Sequence, residues 1–348
     1  MSKVDIDFNC SIPNLHTIRI MQHNGVLIEQ QIDQTLLKGS VIDLKTVGEK
    51  EIHIRIPNNV SLNLPLQMLN VLEQGQNLQT KAVIEIGHNS KVQLIHCDDS
   101  FGTQATSSLN RIDVYLSENA SFDYYKMENI NNESSLSTEV NFHLSQGANL
   151  TTYGFSLNGK KICNTLNIFL NEPYAQANLN GLYLMDKQQE IETIVNVNHK
   201  AEMCHSSQLF KGILDDTAHA TFLGHVNVGY GAKGTEAMQI NKNILLTDKA
   251  KVNTRPFLEI YNDDVKCSHG STIGQLDDEA LFYLRSRGIS MLSAKMLLMY
   301  AFCQEVLTTS NIEPLKESLE QIIKMRLAGE LSACENCAFQ CSAAHKPI

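Results

Sequence analysis

Residues 147–179, GANLTTYGFSLNGKKICNTLNIFLNEPYAQANL, give the architecture away. The stretch begins with Gly147-Ala-Asn-Leu150 and ends with Gln176-Ala-Asn-Leu179, so one string opens two strand-like runs 29 positions apart. In the general form, Asn, Gly or Gln precedes a small residue, a polar residue and an apolar one. The refrain also stands at Asn89-Ser-Lys-Val92 and Asn119-Ala-Ser-Phe122, with spacings of 30 and then 28, and more loosely at Thr217-Ala-His-Ala220 and Lys249-Ala-Lys-Val252. A period of about 20 to 50 residues marks solenoids and other repeat folds, and short strands with few helical interruptions predict a solenoid of strands. A β-sandwich, with turns about every 8 to 12 residues, is the competing architecture. A stack of strands leaves open sheet edges at its ends, and an open edge pairs with another chain unless it is covered. A partner at one end is therefore expected.

Upstream of the refrain, residues 1–80 read as a strand-rich segment leading into the core; in Glu51-Ile-His-Ile-Arg-Ile56, for example, Ile52, Ile54 and Ile56 alternate with polar neighbours. Residues 81–276 form the predicted β core, and residues 277–348 a small helical domain with a cysteine-rich tail. In that domain Asp277 can cap a helix whose first turn holds Asp278 and Glu279, while Arg285 and Arg287 lie near its end and Gly288 stops it. Ser290 can cap a second helix reaching Leu307, with Leu292, Met296, Met299, Tyr300 and Cys303 on one side. Pro314 suits the first turn of a third.

At the junction between the two parts, residues 266–288 read KCSHGSTIGQLDDEALFYLRSRG. Residues two apart in an extended segment share a face, so Cys267 and His269 would project together, and a thiol beside an imidazole suits iron, zinc or copper(I). A lone Cys-x-His is common and cysteine is among the most buried residue types; on spacing alone a packed thiol is the plainer reading of Cys267. Near the C-terminus, Cys334, Cys337, Cys341 and His345 offer four soft ligands for zinc or a cluster. Their spacing also fits small side chains packed along one helical stripe. Gly229-Tyr-Gly-Ala-Lys-Gly234 fits a dinucleotide-binding pattern, but the run after it, Gln239 to Leu246, is strand-like rather than the helix that should hold a pyrophosphate, so it reads as a glycine-rich loop. No phosphate-binding G-x-x-x-x-G-K-[ST] loop and no G-x-S-x-G nucleophile string is present.

Residues 258–289, LEIYNDDVKCSHGSTIGQLDDEALFYLRSRGI, resemble the signature of the SufB/SufD family of iron–sulfur cluster assembly proteins, and the Lys-Cys-Ser-His-Gly string resembles its SufD branch. Weaker likenesses lie at residues 52–71, 207–216 and 241–248. The resemblance implies a right-handed parallel β-helix with a helical C-terminal domain, and a scaffold subunit rather than an enzyme. It implies pairing with SufB through the β-helix edges and docking of the SufC ATPase on the helical domain. Cys267 and His269 would meet iron or a nascent iron–sulfur cluster together with a SufB thiol, and nothing would be held tightly by this chain alone. Phe282, Tyr283, Leu284, Arg285, Arg287, Gly288, Ile289 and Met296 would face the ATPase. A reduced flavin in the assembled complex is part of the same expectation. Against it stand two other classes: a carbohydrate-active enzyme on a β-solenoid, and a metal-free homo-oligomeric module, since the edges of such a body can pair with a second copy.

Composition narrows the partners. The 348 residues can bury a sizeable core. With 28 Lys and Arg against 38 Asp and Glu the net charge is -10, which gives no footprint for nucleic acid or an anionic membrane. The first residues, MSKVDIDFNC, lack the apolar core of a signal peptide and no run approaches the ~20 apolar residues that span a bilayer. A cytoplasmic protein is expected, with its nine cysteines reduced.

Overall fold

The computed structural model describes residue 12 and residues 14–28, 42–100 and 104–328. The chain divides into a β unit, Thr17–Asp277, and a second unit that holds the helices from Asp278 onward. The β unit is a parallel solenoid of two sheets, one of ten strands and one of nine. From Glu51–Ile56 onward successive strands alternate between the sheets, and each pairs in parallel with the strand one coil away. Ser135–Leu144, for instance, lies in register between Ser107–Leu116 and Lys161–Leu170. Its burial alternates strictly along its length, with Leu136, Val140, Phe142 and Leu144 turned into the core. This is the period-2 pattern that a strand with one buried face must show.

The refrain marks the corners where the chain turns into the ten-stranded sheet. Asn89, Asn119 and Gly147 have φ of 53°, 55° and 64°. Each corner N–H donates to a carbonyl of the next coil: Asn89 to Glu118 O, Asn119 to Gln146 O and Gly147 to Pro173 O. The small residue that comes next, Ser90, Ala120 or Ala148, is fully buried in the tight bend. Asn and Gly are the residues that enter the left-handed region most readily. The next corner, however, is Tyr174-Ala-Gln-Ala177, with φ of 63° at Tyr174, so Gln176-Ala-Asn-Leu179 lies two residues out of phase. There the register pairs Leu150 with Ala177, not with Leu179. Neighbours stacked on the same coil position hold Tyr174 in a conformation its side chain does not favour. Gly229–Gly234 is another such corner, with Gly234 at φ 69° donating to Asp264 O, and the strand Glu236–Leu245 begins just after it.

Parallel pairing starts at Ile18, well upstream of residue 80, because Ile18–His23, Glu51–Ile56 and Leu66–Leu72 already join the two sheets. Here both sheets finish in antiparallel pairings: Val26–Leu27 folds back on Ile18–His23, and Asp43–Val47 on Glu51–Ile56. At the other end they finish on Lys251–Ile260 and Lys266–Gly274, each paired on one side only.

The helices match their sequence signals. Helix α1, Asp278–Ser286, carries Asp278 and Glu279 in its first turn and Arg285 in its last, and Gly288 lies just beyond it at φ 85°. Helix α2, Met291–Leu307, is capped by Ser290, whose Oγ accepts the Ser293 N–H at 3.1 Å. Helix α3, Glu313–Leu327, has Pro314 in its first turn. Helix α2 is buried at Ala294 and, in its later turns, at Met299, Cys303, Val306 and Leu307, while Leu292 stands 67 % exposed.

Candidate functional site

Lys266–Gly274 is the outermost strand of the ten-stranded sheet, and its register places Cys267 opposite Ala237 and His269 opposite Gln239. In-register partners of parallel strands point to the same side, so both side chains share the face that lines the solenoid interior one coil earlier. Cys267 is half-buried against the main core, and His269 is exposed. The expected common face is therefore present, on a rung with no strand beyond it among the described residues. Ser271, the next residue on that face, donates its hydroxyl to Thr254 Oγ1 at 2.9 Å and so ties the two edge strands together. On or just beyond the two edge strands Phe257, Ile260, Tyr261 and Ile273 are 54, 42, 48 and 46 % exposed, Phe257 on the outward face beside His225. Apolar side chains concentrated on an unpaired edge are what an interface, rather than a free surface, requires.

The two candidate ligands differ in readiness. Burial pushes the Cys267 thiol above its ordinary range, and a backbone hydrogen bond at Ala237 opposes this only in part. The thiol is thus protonated at neutral pH and must lose a proton to bind a metal. A neutral imidazole binds without that step. Among the described residues no third His, Cys, Asp or Glu joins these two to make a complete metal site.

Beneath His269 the interior is polar and tightly fitted. Gln208, Gln239 and His269 form one in-register row. Gln208 and Gln239 are fully buried, and Gln239 Nε2 donates to Gln208 Oε1 at 3.0 Å. Gln239 Oε1 has no partner.

The helical candidates are spread along α1 and α2. Phe282 and Tyr283 are 75 and 57 % exposed, Leu284, Ile289 and Met296 are half-buried, and Arg285 and Arg287 are exposed. The Arg287 guanidinium lies 5.2 Å from the centre of the Tyr283 ring. Together with Leu292 and Leu297, 67 and 49 % exposed, they make a concentration of uncovered apolar groups. Cys334, Cys337, Cys341 and His345 lie outside the described residues.

Sequence reasoning missed a charged cluster inside the solenoid. Asn70, Asp98, Glu128, Ser156 and Tyr183 succeed one another in register along a single inward row, with His96 and Lys126 on the row beside it. Asp98 and Lys126, 2 and 6 % exposed, form an ion pair, while Asn70 and Asn110 donate to the same carboxylate. Burial opposes ionisation of Asp98, but the Lys126 ammonium and these donors outweigh it and hold the carboxyl below its ordinary range. Burial, reinforced by Lys126, pushes His96 down to about 3, so its ring is neutral and its Nδ1 lies 2.8 Å from the Tyr124 hydroxyl. Burial raises Glu128 despite Lys126 and the hydrogen bonds from Ser156 and Asn164. A cavity of about 40 Å³ adjoins, lined by Lys126, Thr138, Thr152, Ser156 and Tyr183 among others. The signal was in the sequence: His96 and Lys126, and Asp98 and Glu128, lie 30 positions apart, one coil, so ionisable residues fall opposite one another on an inward face.

Comparison with known proteins agrees with the geometry. Residues 69–302 match the family model described as SUF system FeS cluster assembly, SufBD core domain. The chain is 34 % identical over 247 residues to the iron–sulfur cluster assembly protein SufD of Escherichia coli K12, a match covering 67 % of this chain and 58 % of that protein. It is 29 % identical over 284 residues to an iron–sulfur cluster assembly SufBD family protein of Synechocystis, covering 78 % of this chain and 62 % of the relative. Bacillus subtilis SufD is 26 % identical over 280 residues, with 78 and 63 % covered. The matches thus span 58 to 63 % of the length of these relatives. Among the described residues no helix is long and apolar enough to cross a membrane.

Proposed function

This chain belongs to the SufB/SufD family of iron–sulfur cluster assembly proteins, and on that footing we propose that it is a SufD-type scaffold subunit that joins a SufB chain through its last coil. The observation that carries this reading is the asymmetry of the solenoid. Among the described residues both ends finish on strands paired on one side only, but at the first end these are the short antiparallel pieces Val26–Leu27 and Asp43–Val47, whereas the last presents two long parallel strands, Lys251–Ile260 and Lys266–Gly274, with the pair Cys267 and His269 on the second. A strand edge of that kind is completed by a second edge. His269 is the first iron ligand of this chain and Cys267 the second, because the buried thiol must first be deprotonated. A thiol of the partner completes the coordination of iron or of a nascent cluster, and neither rests on this subunit alone.

In the same reading α1 and the start of α2 dock the SufC ATPase, with Phe282, Tyr283 and Leu292 giving the apolar contact and Arg285 and Arg287 the polar rim. ATP hydrolysis belongs to that partner, and its motion opens the interface at the last coil. The complex works in the cytoplasm, where thiols stay reduced.

The test is co-expression with untagged SufB and SufC, followed by mass measurement and iron analysis. The expected result is a complex of all three chains. His269→Ala should leave its mass unchanged and lower its iron content, and equal iron in mutant and wild type would remove the ligand role. Recovery of this chain only with copies of itself would instead favour a homo-oligomeric module.

A further inference from the structure

The row below His269 contains a buried acceptor with nothing to accept. Gln239 is fully buried; its Nε2 is committed to Gln208 Oε1 at 3.0 Å, and its Oε1 has no partner. A buried amide carbonyl left unpaired is destabilising, so a donor on the next rung would relieve it. The fold makes specific room for this side chain. Gly224, on the facing sheet, would carry a Cβ only 1.6 Å from Gln239 Nε2, so no other residue at 224 leaves the amide where it is. Of the neighbouring polar groups on the same face, Asn241 donates to Phe210 O and Ser271 to Thr254 Oγ1, while Gln208 Nε2, at the far end of the amide pair, is itself unpaired and follows the apolar Leu179 of the coil before. The in-register residue on the next rung is His269.

We propose that Gln239 is a positioning residue for His269: its Oε1 accepts one imidazole N–H, which fixes the ring's tautomer and leaves the other nitrogen's lone pair turned outward, away from the solenoid. Metal-binding histidines commonly donate their second N–H to a carbonyl or carboxylate, which orients the ring and raises its basicity. The inference rests on the reading of His269 as an iron ligand, but its central claim concerns the ring alone and is tested without metal.

The full chain, labelled with ¹⁵N-histidine, is examined by NMR at a pH above the histidine range, with His269→Gln used to assign the signal among the twelve histidines. In the wild-type chain the bonded ring N–H of His269 should be protected enough from exchange to be observed, and one tautomer should dominate. Gln239→Met keeps the length of the side chain and removes the acceptor. It should shift the tautomer ratio by roughly threefold to tenfold, the range that corresponds to one net hydrogen bond. An unobservable ring N–H in the wild type overturns the proposal even if Gln239→Met does not fold, and an unchanged ratio in a folded variant overturns it as well. Iron loading of the complex with SufB then separates the two claims. A shifted ratio in Gln239→Met with full iron uptake in His269→Gln upholds the positioning and removes the ligand role; the converse pair of results removes the positioning and keeps the ligand.

Discussion

Two polar regions lie inside the same solenoid and differ in nearly every respect. The Asp98–Lys126 cluster is closed, dense with hydrogen bonds, and contains ionisable groups displaced in both directions. The last rung has one half-buried thiol, one exposed imidazole and a glutamine carbonyl without a partner. Perturbed ionisation is often a guide to active sites, yet here it points away from the edge where a second chain and a metal can arrive. Displacement of a pKa measures enclosure, whereas the partner and metal role proposed for the edge requires access and an unfinished set of ligands.

The contrast is put under most strain by removing one charge from the closed region. Asp98→Ala leaves the Lys126 ammonium buried without its counter-ion and should destabilise the β unit by about 3–5 kcal/mol. Replacing both partners, Asp98→Leu with Lys126→Met, should recover most of that loss, since a matched apolar pair avoids the desolvation of two ions. Denaturant unfolding of the single and double variants checks both. A loss below about 1 kcal/mol in the single variant, the usual worth of an exposed pair, would mean that water reaches the cluster.

Acid probes the closed region in a second way, together with a separate buried histidine, His199, whose Nε2 lies 2.8 Å from Ser206 Oγ. His96 titrates at about 3 and His199 at about 4 in the folded chain, both pushed down chiefly by burial. Their unfolded forms titrate near 6.5 and so bind protons that the folded forms refuse. Stability from these groups is complete above pH 6.5 and declines as the pH falls toward about 4 for His199 and about 3 for His96, by up to about 1.4 kcal/mol per pH unit for each. Asp98, held low, adds a loss only below the ordinary carboxylate range. Glu128 has the opposite sign: its folded form is raised, so its contribution fades as the pH rises. His96→Gln should flatten the acid limb between pH 6.5 and 4, and an unchanged limb would assign the loss to other groups.

The corners show how much was legible beforehand. Asn89, Asn119 and Gly147 announced the coil period because left-handed corners select Asn and Gly, and the helix ends at Ser290 and Gly288 were readable for the same local reasons. Tyr174 was not, because its left-handed backbone is imposed by the coils stacked on either side and leaves no mark in its own residue type; the eye falls instead on Gln176-Ala-Asn-Leu179, two residues late. The pairing of Cys267 with His269 was visible as a shared face, while the Gln239 carbonyl beneath it needed the register between strands. The phase of the corners is open to test. Gly147→Ala places a Cβ 2.4 Å from Asn119 Oδ1 at a φ of 64° and should cost about 1 kcal/mol or more. Gln176→Ala, on an exposed strand position, should stay within about 0.5 kcal/mol. Equal effects in denaturant unfolding would undo the two-residue correction.

The mildest substitution is also the most discriminating. His269 is exposed on the last rung, so His269→Ala should change the unfolding free energy of the isolated protein by no more than the worth of one net hydrogen bond, about 0.5–1.5 kcal/mol. Cys267→Ser, at a half-buried site against the core, should cost slightly more because a hydroxyl replaces a weakly polar thiol. A residue kept for the stability of its own subunit cannot be removed at so little cost, whereas one kept for a second chain can. If His269→Ala instead unfolded the last coil, the imidazole would belong to the packing of the solenoid, and the contrast between its closed interior and its open edge would fail at the residue on which it depends most.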